Sequence, residues 1–306
     1  MDFAVPSLED LCNPRNRTAF VYAHQDDELP YVGLMCRLKH DADFLWVTNG
    51  DGLAPFVHMD PQQYADIRLN ECAQVMRILE VPAGRVTNLK HSEIAIYDAF
   101  VDWVQFPEKR QQITDFFTGI ARQVFNFLQA ADPDTVCVPA YQGGHPEHDI
   151  TAAFAGLSLR CLNRKTGKSY RLIHMPEYEY TILLPFRFKP WYKGPVLRID
   201  LTPQEMAAKQ KVMEAYPSQV ELMAKFRRVM NGLGKAPALW GRGFTWESYG
   251  AVETFGPVPL TFDYGRNLHI LDAFNYMGDK NRDVKISFTR MIAPIVASVE
   301  ARMLTW

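Results

Sequence analysis

The first cluster able to do chemistry is Ala23-His24-Gln25-Asp26-Asp27-Glu28, an imidazole and three carboxylates in a short stretch. Carboxylates crowded this closely repel one another unless a cation or solvent screens them, and a neighbouring imidazole is a ligand that zinc favours. In a turn, His24 and Asp27 can point to one side and grip a divalent ion, with Asp26 directed elsewhere and free to carry a proton. A competing reading makes Asp26, Asp27 and Glu28 the acidic first turn of a helix, favoured by its dipole. The second cluster is Tyr141-Gln142-Gly143-Gly144-His145-Pro146-Glu147-His148-Asp149. Its glycines permit close backbone approach, and the two histidines flanking Glu147 supply a third metal ligand together with an acid/base group.

These clusters need elements that bring them together. Short β-rich runs at Thr18 to Tyr22, Phe44 to Val47, Arg85 to Leu89, Thr135 to Val138 and Arg171 to His174 alternate with helix-period stretches. One stripe holds Ile67, Val75, Met76 and Leu79; a second holds Ile113, Phe116, Phe117, Ile120, Val124 and Leu128; a third holds Ile150, Phe154, Leu157 and Cys161. Strand and helix in turn predict an α/β fold, a Rossmann-like, mostly parallel sheet with helices on both faces. Both clusters then leave the carboxyl ends of strands, the first and the fourth, where such sheets bind ligands. No glycine-rich dinucleotide fingerprint follows the first strand, and no G-x-x-x-x-G-K occurs.

Past about Lys165 the rhythm changes. Tyr178 to Leu184 and Val196 to Leu201 read as strands, and capping signals at Thr202-Pro203-x-Glu205 and at Ser218 with Glu221 announce two helices. This half is expected to decorate the sheet and shape a pocket. With 306 residues, 47% of them hydrophobic, the chain can bury a sizeable core. The Met1 terminus shows no basic stretch followed by an apolar run, and no segment approaches the roughly 18 apolar residues of a membrane span, so a cytoplasmic protein without membrane partners is expected. Five cysteines, widely spaced and without a C-x-x-C pair, fit reduced thiols. A net charge of −2 offers no positive field for a nucleic-acid backbone, which leaves a small molecule as the expected partner. The oligomeric state is not encoded in any of these features.

The order and separation of the two clusters resemble the A-H-P-D-D-E and H-P-D-H motifs of the LmbE-like, or PIG-L, family of zinc-dependent N-acetylglucosaminyl deacetylases. Thr48-Asn49-Gly50 is similar to the family's turn after the second strand, Arg68-x-x-Glu71 to its Arg-x-x-Glu, and Ser218-Gln219 to a later Ser-Gln element. The resemblance spans roughly residues 17 to 220. It implies one LmbE-like domain over 1–306, with a Rossmann-like core at 17–175 and a C-terminal elaboration at 176–306. It also implies His24, Asp27 and His148 as ligands of Zn²⁺ (Fe²⁺ or another divalent metal being alternatives), with Asp26 as general base. His145 would stabilise the tetrahedral intermediate, as an imidazolium, or protonate the leaving amine, and Arg68 and Asn49 would bind substrate. Gln25 stands where proline is usual, and Glu147, in place of aspartate, is expected to orient His145. The family's aspartate after the third strand has two candidate counterparts, Glu93 and Asp98.

The implied reaction is hydrolysis of an N-acyl, in the first instance N-acetyl, amide on an amino-sugar-like molecule. An amidase for non-sugar amides and a non-catalytic metabolite-binding protein on the same fold are the alternatives. The same ligand types also suit non-haem iron, though Asp26 beside them favours hydrolysis. The basic and aromatic stretch Arg187 to Lys193 could contact RNA, or join Trp240, Trp246 and Tyr249 in a platform for a flat substrate.

Overall fold

The computed structural model describes residues 7–179, 184–185, 188, 192–233, 245–266 and 271–306. Alternating apolar runs and helical stretches become strands β1 (Thr18–Tyr22), β2 (Ala42–Thr48), β3 (Val86–His91), β4 (Thr135–Pro139) and β5 (Arg171–Met175). The helices between them are α2 (Val32–Leu38), α3 (Pro61–Ile78), α4 (Glu93–Gln105), α5 (Arg110–Ala131) and α6 (Pro146–Thr166), after a short α1 (Leu8–Leu11). β1 pairs in parallel with β2 on one side and β4 on the other. The chain winds outward from that junction in both directions, so β1 and β4 straddle the switch point where open α/β sheets take ligands.

The later half does more than decorate this sheet. β8 (Leu197–Asp200) and β9 (Val252–Val258) extend it to seven strands in the order β3-β2-β1-β4-β5-β9-β8, the last two antiparallel to their neighbours. The expected strand over Tyr178 to Leu184 is instead the pair β6 (Tyr178–Glu179) and β7 (Leu184–Pro185), antiparallel arms joined by residues 180–183, outside the described residues. Hairpin strands β10 (Lys280–Asn281) and β11 (Val284–Lys285) precede the final helix Ala293–Met303.

Strand side chains alternate, so the sheet buries two cores. Ala19, Val21, Leu45 and Val47 face Phe100, Phe117, Val124, Phe154 and the final helix; Phe20, Tyr22, Phe44 and Trp46 face Met35, Cys72, Val75 and Val212. The stripes on α5 and α6 point inward as expected. On α3, Val75 and Met76 do so, as does Leu79 just past its end, but Ile67 is exposed, because the helix turns Tyr64, Arg68, Glu71 and Cys72 toward the protein. A buried ion pair ties the halves together: Lys209 on α7 (Pro203–Glu214) donates to Glu253 on β9 at 3.2 Å and to the Pro30 carbonyl at 2.8 Å. Glu253 also accepts both Gly33 and Leu34 N–H groups at 2.8 Å, which fixes the chain just beyond the first cluster. All five cysteines are free thiols, and no described helix is long and apolar enough to cross a membrane.

Candidate metal centre

The first cluster is a turn, not the acidic start of a helix; α2 begins only at Val32. Its geometry is set by Asp27, whose Oδ2 accepts the Ala23 and His24 N–H groups at 2.9 and 2.7 Å. Oδ1 is thereby left pointing at the imidazoles. Gln25 anchors the turn by donating to the Thr48 carbonyl at 2.8 Å, a tether that proline could not make. The next residue, Asp26, has φ of 108°, a backbone state that asparagine and aspartate tolerate better than most.

The second cluster is folded by Asp149, whose carboxylate accepts the Gln142 and Gly143 N–H groups, each at 2.9 Å, and the Tyr276 hydroxyl at 2.6 Å. Gly143 takes φ of 68°, where a side chain would be strained. His145 then begins α6, with Glu147 and His148 buried in its first turn.

These turns bring three donor atoms together. His24 Nδ1 lies 3.1 Å from His148 Nε2 and 3.3 Å from Asp27 Oδ1, and His148 Nε2 lies 3.0 Å from Asp27 Oδ1. Ligands of tetrahedral zinc, at about 2.0–2.1 Å from the metal, stand about 3.3 Å from one another, so this triangle fits one ion. Each imidazole presents a carboxylate to its far nitrogen: His24 Nε2 donates to Glu147 at 2.7 Å, and His148 Nδ1 faces Glu177 at 3.6 Å. That is the usual support of a metal-bound histidine. Further donors crowd the same place: His145 beside His24 and His148, Glu93 and Glu147 beside His24, and Glu177 beside Asp27 and His148, each trio within 4.8 Å.

The charges agree with a cation-binding role. Burial opposes charge on His24, yet Asp27, Glu93 and Glu147 together hold its pKa well above the ordinary value. Burial likewise opposes charge on Asp27, but His148 and His24 keep its carboxyl well below the usual range. Burial lowers His148 despite Asp27. His145 is lowered well below the ordinary value by burial and by the two neighbouring imidazoles, so it sits as neutral imidazole, contrary to the expected imidazolium. Its ring lies 4.8 Å from His24 and 4.9 Å from His148, centroid to centroid.

Asp26 turns away from the triangle and pairs with Arg68 Nη2 at 3.1 Å. Burial raises its pKa to about 7 against the pull of Arg68, while Asp27 adds to the rise. Arg68, itself 3% exposed, also donates to Glu71 and to Ser218 Oγ, both at 3.2 Å, and to the Gln25 carbonyl. Ser218 in turn gives its N–H and hydroxyl to Glu71, so it belongs to this chain of bonds and not to the expected capping box, whereas the Thr202–Glu205 box is formed.

A cavity of about 240 Å³ opens on these groups, lined by His24, Asp26, Asp27, Arg68, His145 and His148, together with Gly50, Leu53, Glu93, Gln219, Leu222, Phe226 and Asp279. Of the two acids left open by the sequence, Glu93 lines it, held by Thr48 Oγ1 at 3.2 Å and raised by burial to about 7. Asp98 lies elsewhere, bonded to Asn281 at 2.8 Å. Asn49 is outside the cavity wall and exchanges hydrogen bonds with Asp51. Glu147 serves His24, not the expected His145, whose Nδ1 is 3.9 Å away. Glu177 and Asp279 carry no mark in the sequence: they are lone acids in Met175-Pro176-Glu177 and before a late hairpin, without a spacing that distinguishes them. Trp246 stacks on Tyr249 at 4.9 Å, while Trp240 and most of the stretch Arg187 to Lys193 lie outside the described residues.

Fold and site together define an α/β protein with two histidines and one carboxylate that could hold a metal ion at the switch point of its sheet, and a second carboxylate beside them. Residues 19–157 match the family model described as PIG-L, GlcNAc-PI de-N-acetylase, a likeness confined to this core of the chain. No curated protein matches in sequence. Among solved structures, the chain is similar to the antimicrobial reagent A40926 pseudoaglycone deacetylase Dbv21, with 16% identity and a TM-score of 0.54 over 81% of this chain and 99% of that one. It is also similar to the deacetylase–bog complex in the biosynthesis pathway of teicoplanin, with 15% identity and a TM-score of 0.52 over 79% and 97%. The zinc-inhibited form of teicoplanin deacetylase Orf2 matches with 14% identity and a TM-score of 0.50 over 79% and 97%. At these identities the likeness is one of fold.

Proposed function

We propose that this chain is a metal-dependent amide hydrolase, with zinc as the first candidate ion, that removes the acyl group of an N-acylated, amino-sugar-like small molecule. The observation that carries the reading is the triangle of His24 Nδ1, Asp27 Oδ1 and His148 Nε2, with edges of 3.0 to 3.3 Å and Asp26 at its side. Solved structures of similar fold include deacetylases, which supports it. Three protein ligands leave a position open, as catalytic and not structural zinc sites do, and a zinc ion there would polarise an amide carbonyl and lower the pKa of water to about 7.

The chain's own groups divide the remaining work. Asp26, with a pKa of about 7, can take a proton from the attacking water and return it to the leaving nitrogen near neutral pH. Such acid/base help is worth about 10²–10⁴-fold. Arg68 positions that carboxylate and keeps part of it ionised. Neutral His145, at the cavity wall, can donate an N–H to the oxygen that becomes negative in the transition state. Glu147 and Glu177 orient the two ligand imidazoles.

A mass-spectrometric screen tests the reading. Purified protein loaded with zinc is offered N-acetyl sugars, N-acetyl amino acids and simple amides, and release of free amine is followed. Activity on the sugars that disappears in Asp27→Ala together with the metal supports the proposal; metal-loaded protein that hydrolyses no amide in the set contradicts it.

A further inference from the structure

Asp279 is a cavity-lining acid that the proposed chemistry does not use. It comes from the last fifth of the chain, just before β10, and its backbone is held on both sides. Its N–H donates to the Tyr276 carbonyl at 3.0 Å, and its carbonyl accepts the Ile286 N–H at 3.1 Å. Tyr276 is fixed in turn to the second cluster, through its N–H to the Gly143 carbonyl at 2.8 Å and its hydroxyl to Asp149 at 2.6 Å. The far end of the hairpin is tied to α4, where Asn281 donates to Asp98 and Arg282 to Asp102. The backbone that carries this carboxylate is thus held in place at the wall of the cleft that contains the candidate metal ligands.

Its own side chain has no structural duty among the described residues. Oδ2 is shielded from solvent without a hydrogen-bond partner, and burial raises the group to about 7. A buried acceptor left unpaired is unfavourable, and at a cavity wall a substrate hydroxyl or a water would satisfy it. The charge of the cleft narrows which ligand. Among the described lining residues the acids are Asp26, Asp27, Glu93 and Asp279; the cations are His24, whose charge is matched by Asp27, Glu93 and Glu147, and Arg68, whose terminal nitrogens are engaged by Asp26, Glu71, Ser218 and Gln25. A phosphate or carboxylate on the substrate would meet these acids, with Arg68 already committed.

We propose that Asp279 is a specificity-determining residue that accepts hydrogen bonds from the hydroxyls of an uncharged polyol substrate and disfavours substrates carrying a phosphate or carboxylate near the amide. The inference rests on the hydrolase reading above and adds the head-group chemistry. The test compares kcat/KM of zinc-loaded wild type, Asp279→Asn and Asp279→Ala on N-acetylglucosamine, its 6-phosphate and N-acetylcyclohexylamine, which keeps the amide and ring but lacks hydroxyls. The ratio of the first probe to the third falls about 10–100-fold in Asp279→Ala, mostly through KM, the range expected for a hydrogen bond to a charged acceptor. Asp279→Asn keeps part of that ratio, because its amide oxygen still accepts, and narrows the gap between the neutral sugar and its phosphate. A ratio unchanged in both variants, whether all rates fall or none does, overturns the inference alone. Wild-type protein that releases amine from none of the three probes removes the hydrolase reading and this inference together.

Discussion

Replacing Asp26 by asparagine separates what the residue does in the reaction from what it does to the fold. In the unfolded chain its carboxyl titrates near the model value of 3.8, whereas burial raises it in the native state to about 7. The folded protein therefore binds a proton there more tightly than the unfolded chain does. Stability is largest below pH about 4 and declines as pH rises toward 7, levelling above it. At about 1.4 kcal/mol per tenfold change in proton affinity, the full decline is about 4 kcal/mol, with the opposing pull of Arg68 already included. Asparagine has no such proton and suits the backbone at φ 108°. Metal-free Asp26→Asn should accordingly be more stable than metal-free wild type by up to about 4 kcal/mol at pH 8, and by less than about 1 kcal/mol near pH 4. Urea unfolding of both chelator-treated proteins at the two pH values measures this. The zinc-loaded variant should at the same time keep its metal and lose about 10²–10⁴-fold in kcat. A variant less stable than wild type at pH 8, or a difference that does not change with pH, refutes the reasoning.

The remaining consequences are narrower. Glu147→Gln should weaken zinc binding about 10–100-fold, because the carboxylate that orients His24 through Nε2 is lost; competition with a chromogenic chelator reads this. Arg68→Met removes the charge that pulls the Asp26 pKa down, so the acidic limb of the kcat/KM profile should move to higher pH, whereas a shift to lower pH contradicts the pairing. Asp51→Ala removes the acceptor of the Ser92 hydroxyl and of the Glu93 and Ile94 N–H groups at the start of α4. It should destabilise the protein by roughly 1–3 kcal/mol in a denaturant titration.

Much of this architecture is legible in the sequence, for reasons visible in the strands themselves. β1, β2, β4 and β5 lie buried in a parallel sheet, so their apolar runs are nearly continuous and their ends fall within a residue or two of the expected ones. β9 escaped notice because Gly256 and Pro257 interrupt it, both poor residues for a strand paired on two sides. Ile67 misled because an apolar residue at helical spacing looks inward, whereas the buried face of α3 is partly polar, carrying Arg68 and Glu71. At the site, the two clusters are legible as candidate ion ligands, since close carboxylates and histidines at strand ends have few other uses, and the structure brings their donor atoms together. Their supporting partners are not marked. The choice of Glu93 over Asp98 depends on the angle at which α4 leaves Ser92, and the preference of Glu147 for His24 over His145 depends on a 1.2 Å difference between two contacts of 2.7 and 3.9 Å. Glu177 and Asp279 reach the site only through the path of the later half, for which the sequence carries no periodic signal.

The ion site itself is open to direct measurement by zinc-edge X-ray absorption on stoichiometrically loaded protein, with His148→Ala beside the wild type. The account predicts one tightly held zinc per chain, with two imidazole nitrogens and carboxylate or water oxygens at about 2.0–2.1 Å, and loss of that signal in the variant. Sulfur at about 2.3 Å, or a zinc shell that His148→Ala leaves intact, would contradict it.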